Sequence, residues 1–209
     1  MAIYWPEFLT IVVAHALAVA SPGPDFALVL RQSLAHGRRT AIWSSIGIGC
    51  GLSFHITYCI LGLGYFLKNT PAALTAVQYL GAAYLAWVGV QAVRTKVRAG
   101  DVDLSASAPP GDRAAWTTGF VVNLLNPKVA LFFISLFALA VDARTPKLVQ
   151  VGYGVWMTVA TIAWFSVVSV VFTQAKVRRR FLRHGHWIDR ALGIVFLGFA
   201  ASLAFTSLR

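Results

Sequence analysis

"AVASPGPDFALV", residues 18–29, puts Pro22, Gly23, Pro24 and Asp25 into the middle of an otherwise apolar run. Proline has no N–H to give to a helix interior, so this run cannot be one uninterrupted helix. The chain around it is apolar enough to settle the class. Of 209 residues, 58% are hydrophobic and 12% charged, with mean hydropathy +0.70, whereas soluble domains carry about 25% charged residues. Runs near the ~20 residues that cross a bilayer recur at 7–30, 41–66, 71–93, 115–141, 148–174 and 187–207. The expected fold is all-α and integral to the membrane, with six transmembrane helices of which the first and fourth are broken.

The first run carries "AVA" at 18–20, which resembles a signal-peptide cleavage site. No Lys or Arg precedes Arg31, however, Glu7 and His15 interrupt the start, and apolar sequence resumes at Phe26. It therefore reads as a retained span. The net charge of +11 would suit nucleic acid if it formed a patch. Instead it sorts by loop: Arg31, Arg38 and Arg39 follow the first span. Arg94, Lys96, Arg98 and Arg113 follow the third, and Lys176, Arg178, Arg179, Arg180 and Arg183 follow the fifth. The opposite ends hold only Lys68, Arg144, Lys147 and Arg209. The positive-inside rule then puts the richer side in the cytoplasm and both termini in the periplasm. A lipid bilayer is the expected partner, and nucleic acid is not. Cys50 and Cys59 lie nine residues apart on one expected helix, about 13 Å of rise and on opposite faces, so they cannot pair within it.

Residues 94–113, "RTKVRAGDVDLSASAPPGDR", are polar and divide the chain nearly in half. They read as a linker. Across it, "PDFAL" at 24–28 aligns with "PKVAL" at 127–131, "GIG" at 47–49 with "GYG" at 152–154, and "LGAAYL" at 80–85 with "LGIVFL" at 192–197. The order is the same in both halves. One transmembrane domain over 1–209 is expected, with repeat 1 at about 1–93, a cytoplasmic linker at 94–113 and repeat 2 at about 114–209. Three spans per half force the second half to enter from the opposite side. That is the inverted repeat of many secondary transporters, whose substrates bind on broken helices at the repeat interface.

The second break falls at the corresponding place, "NLLNPK", residues 123–128. Ser21 or Asn126 can supply a capping oxygen, and Pro22, Pro24 or Pro127 can occupy a first turn that needs no N–H. A helix restarting inside the membrane presents free N–H groups and a positive dipole end, which suit a carboxylate. Asp25 and Lys128 add opposite charges. A charge at mid-bilayer costs about 2.5–3.5 kcal/mol on insertion scales, so both should face inward. Three readings stand together: the two residues neutralise each other; with Ser21, Gly23, Asn123 and Asn126 they hold a zwitterion; or Asp25 exchanges a proton, with His15 and His55 as further relay candidates. No ligand spacing such as H-x-x-x-H marks a metal site, and no cofactor is expected. Gly47, Gly49 and Gly51, like Gly81, Gly89, Gly193 and Gly198, read first as close helix packing.

"SPGPDF" at 21–26, "GFVVNLLNPK" at 119–128 and "WIDRALG" at 187–193 resemble the LysE/RhtB family of bacterial amino-acid exporters, most closely its threonine-exporter branch, over essentially the whole chain. The resemblance implies an inner-membrane carrier, not an enzyme. It would export threonine, homoserine or similar neutral amino acids in exchange for protons, and a homodimer is among the assemblies it allows. His15 stands where that branch places a histidine before the proline motif. Other branches lack an acid at the position of Asp25. A metal-ion exporter and, from another class, a thiol-redox protein or membrane enzyme are the alternatives.

Overall fold

Helix α1 (Trp5–Ala20) makes its last backbone bond from the Ser21 amide to the Leu17 carbonyl, and the chain resumes as α2 (Pro24–Ala35). Pro22 and Pro24 account for the interruption, because neither can donate to the carbonyls of Ala18 and Ala20 four residues earlier. The two helices meet at 52°. The computed structural model describes residues 4–21, 23–63, 70–94, 108–142 and 144–174, with separate positions between 177 and 201. Pro22, most of the expected linker and most of the expected loop at 176–186 lie outside the described residues.

Gly37, at φ 83°, takes the left-handed conformation that lets the chain turn from α2 into α3 (Gly37–Tyr58), which runs on into a π-helical turn, Cys59–Leu63. Helix α4 (Pro71–Val93) coincides with the expected third span. Helices α5 (Asp112–Leu124) and α6 (Pro127–Ala140) form the second broken pair, bent by 56°, and α7 (Lys147–Phe172) follows. Helical residues recur between 186 and 201, and no strand occurs among the described residues. Two helices, Gly37–Leu61 and Lys147–Phe172, are each long and apolar enough to cross a membrane, and each bent pair passes the same test as a unit.

The burial pattern is that of a protein dissolved in lipid. Val151, Val155, Val159, Val167 and Val170 form an exposed stripe along α7, whereas Ser44, Ser45, Asn123, Thr161 and Ser169 are buried. Water-soluble proteins bury the first kind and expose the second. Interior hydroxyls join helices directly: Ser44 Oγ donates to the Ala115 carbonyl at 3.1 Å, and Ser53 and Thr158 share a 3.0 Å bond.

The closest packing is between α3 and α5. A Cβ on Gly47 would strike the Trp116 carbonyl and the Phe120 amide, and one on Gly119 would strike the Ser44 carbonyl. Gly51, one turn beyond Gly47, sits against the Asn123 side chain, while Gly49 faces Ile162 of α7. Gly89 of α4 and Gly193 press against each other's carbonyls. The glycines therefore serve close packing, as small residues do in membranes. Gly198 meets nothing within 4 Å and does not share this role.

Polar contacts sort the helix ends onto two sides. On one, Arg39 Nη2 at the start of α3 pairs with Asp112 Oδ2 at the start of α5, 2.7 Å apart. On the other, Glu7 Oε2 of α1 accepts from Thr145 Oγ1 at 2.9 Å, and Lys147 Nζ donates to the Ile60 carbonyl. Between them lie two apolar clusters. Ile11, Leu52, Phe133 and Met157 belong to the second side, and Phe26, Ile48, Phe165 and Phe172 to the first.

Candidate functional site

Both breaks open into one cavity where the two clusters meet. The second break follows the cap expected of its sequence. Asn126 is the N-cap of α6, its Oδ1 accepting from the Lys128 amide at 3.0 Å, and Pro127 takes the first helical position. Because Pro127 cannot donate to it, the Asn123 carbonyl takes bonds from elsewhere: the Asn126 amide at 3.0 Å and His55 Nε2 at 3.1 Å. A carbonyl only accepts, so the His55 proton is on Nε2. Its Nδ1 then receives the Tyr58 hydroxyl at 3.0 Å.

The first break is built differently from the expectation. Gly23, extended at φ −168°, is the N-cap of α2 with no side-chain cap, and Pro24 begins the helix. Ser21 instead ends α1, and its Oγ is buried without a hydrogen-bond partner among the described residues. The carbonyl of Ser21 has a different partner, Lys128 Nζ, at 3.1 Å. The lysine stem lies along Gly23, where an added Cβ would come within 3.3 Å of Nζ. A side chain there would press on the stem.

Charge and dipole are thus matched across the gap. The Lys128 ammonium sits at the carbonyl end of α1 and Asp25 in the first turn of α2, the favourable sign at each terminus. Asp25 is 9% exposed, and its Oδ2 accepts from Asn123 Nδ2 at 2.8 Å. Among the described residues its Oδ1 is buried without a hydrogen-bond partner, while Asn126 and Lys128 lie near enough to act on the carboxylate.

Ser21, Gly23 and Asp25 from the first break line the cavity together with Asn123, Asn126 and Lys128 from the second, and His15 also reaches it. Pro24 and Pro127 start their helices but do not line it, and neither does His55, which holds the end of α5. Thr161, Phe132, Phe133 and Phe165 line it as well. None of these four is marked by the motifs, since they sit in unbroken apolar helix. The signal available for Thr161 is periodicity: the buried face of α7 runs through Gly154, Met157, Thr161, Phe165 and Val168, a 3.6-residue repeat that puts its hydroxyl inside.

Over residues 16–207 the sequence matches the LysE type translocator family. The chain belongs to that family. Among its relatives, the threonine efflux protein of Escherichia coli K12 is 33% identical over 200 residues, 94% of this chain and 96% of its own. The threonine efflux protein of Salmonella typhimurium is 32% identical over the same shares. The leucine efflux protein of Klebsiella pneumoniae is 30% identical over 204 residues, 95% of this chain and 94% of its own. No solved structure matches. As a LysE type translocator the chain is a multi-pass membrane transporter and not an enzyme.

Proposed function

We propose that this translocator exports a small neutral amino acid, of the threonine and homoserine kind, across the bacterial inner membrane. One observation carries the reading: an acid and a base from two separate helix breaks share a single cavity with two amide side chains. A zwitterion has one group for each. Its carboxylate replaces the Ser21 carbonyl as the partner of Lys128, and its ammonium takes the Asp25 carboxylate on the Oδ1 side, away from the Asn123 bond. Binding is reversible because Lys128 has the Ser21 carbonyl to return to and Asp25 keeps its bond from Asn123 throughout. The relatives named for threonine and leucine efflux support an amino-acid cargo.

In this reading the chain is one six-span domain of two inverted repeats, with its broken helices facing each other across the cavity. The cationic loops and the 94–113 linker face the cytoplasm and both termini the periplasm. Export is driven by proton entry, and Asp25 and His15, both on the cavity wall, are the groups in position to carry the proton. The test is counterflow of a labelled amino-acid panel in proteoliposomes holding the purified protein. Exchange of neutral amino acids, saturable and without chemical change, is expected. Failure to exchange any amino acid under conditions where the protein is folded overturns the proposal.

A further inference from the structure

Thr161, like Ser44, differs from most hydroxyls on these helices in bonding across to another helix. Ser33, Ser45, Ser53, Thr57 and Ser169 each donate to the carbonyl four residues earlier on their own helix, the usual way to satisfy a hydroxyl in a helix. Thr161, 1% exposed, makes no such bond and turns instead to His15 Nε2 of α1 at 3.0 Å. His15, 2% exposed, is held by ring contacts with Phe133 and Trp156. The pair uses one nitrogen of the imidazole and one of the three hydrogen-bonding capacities of the hydroxyl. The rest of this wall is apolar: Leu52, Phe132, Phe133 and Phe165. Two polar groups with capacity to spare thus occupy an otherwise greasy surface.

Their placement relative to the charged end matters. His15 lies six residues before Ser21 on α1, about 9 Å of helix rise. Measured along α1, therefore, Asp25 and Lys128 serve one end of the cavity, and the His15–Thr161 pair lines the same cavity farther along the helix.

We infer that Thr161 and His15 read the substrate side chain, accepting from and donating to a hydroxyl there, so that the carrier favours hydroxy amino acids over aliphatic ones of the same shape. The inference rests on the export reading above and names residues for its selectivity. A side chain without a hydroxyl would leave their remaining donor and acceptor capacity unused, and a site that hydrogen-bonds a substrate hydroxyl selects against the analogue that lacks it.

L-threonine and L-valine make the test, since they differ by a hydroxyl in place of a methyl. Counterflow of the two labelled amino acids is compared in the wild type and in Thr161→Val. The wild type is expected to favour threonine, and the variant to lose about three- to tenfold of that ratio, the range for one neutral hydrogen bond. Thr161→Ser, which keeps the hydroxyl, should keep the preference. If Thr161→Val does not fold, His15→Phe is read the same way, with the same fall expected. A wild type that exchanges amino acids without favouring threonine over valine, or a ratio unchanged in the folded variant, overturns the inference and leaves the export reading intact. Absence of all amino-acid exchange by the wild type overturns the export reading itself.

Discussion

Asn123 Nδ2 donates to Asp25 Oδ2 at 2.8 Å, tying the last turn of α5 to the first turn of α2. Asn123 is fully buried, and its carbonyl is fixed by His55. The second break therefore orients the acid of the first. Neither half of the chain can form the site alone.

Replacing Asn123 by alanine removes that bond from the carboxylate. Hydrogen bonds to charged groups contribute about 1.5–3 kcal/mol. Asn123→Ala is expected to lower the melting temperature in detergent and to slow amino-acid exchange together. Unchanged melting and exchange would show that the Asn123–Asp25 contact does not organise the site.

Two glycines of similar sequence setting should respond oppositely to alanine. At Gly47 a Cβ meets backbone of α5, which cannot move aside without separating the helices, whereas at Gly152 nothing lies within 4 Å. Overpacking of this kind costs about 1–3 kcal/mol or more, while alanine in place of an unpacked helical glycine is favourable by up to about 1 kcal/mol. Thermal melting of Gly47→Ala and Gly152→Ala in detergent reads both. Equal melting temperatures would contradict the packing described for α3 and α5.

The breaks were legible because proline acts locally: whatever surrounds them, Pro24 and Pro127 deny an amide to the preceding turn. Asn126 as a cap was legible for the same reason. Ser21 was not, because two prolines so close together move the helix start to Gly23 and leave the serine at the end of the preceding helix. His55 illustrates another limit. Its role depends on a carbonyl freed 68 residues away along the chain, a relation that no local pattern encodes. Thr161 lay on a readable periodicity, but only the turn of its side chain away from its own helix distinguishes it from the hydroxyls that bond back to theirs.

Sidedness follows from charge and is open to direct labelling. The Arg39–Asp112 pair puts the starts of α3 and α5 on one side, and the Glu7–Thr145 contact puts the start of α1 on the other. In the proposed topology the first side is the cytoplasmic one. In a background with Cys50 and Cys59 replaced by serine, a cysteine at Ala106 should resist an impermeant thiol reagent in intact cells and react after permeabilisation. A cysteine at Ala2 should do the reverse. Labelling of position 106 from outside would invert the topology.

Lys128→Met keeps the length of the side chain and removes its charge. The Ser21 carbonyl then loses its donor, and the cavity loses its cation. Exchange should fall at every substrate concentration while the protein remains in the membrane at normal level. Wild-type exchange would mean that Lys128 only closes the end of α1.

Asp25 has the most distinguishable outcomes. Asp25→Asn keeps the shape and can still meet the Asn123 side chain, so any effect on transport reports the charge rather than the fold. If the carboxylate holds the substrate ammonium, the variant should weaken binding by about 1.5–3 kcal/mol, and counterflow should be impaired with or without a pH gradient. If the carboxylate instead carries the proton, counterflow should persist, because exchange of substrate for substrate needs no net proton movement. Net export should then no longer respond to the gradient. The two roles can coexist on one group, in which case both assays fall. Wild-type behaviour in both would leave Asp25 as the electrostatic partner of Lys128 and of the α2 dipole, and the break at 21–24 as a device for admitting water rather than for binding.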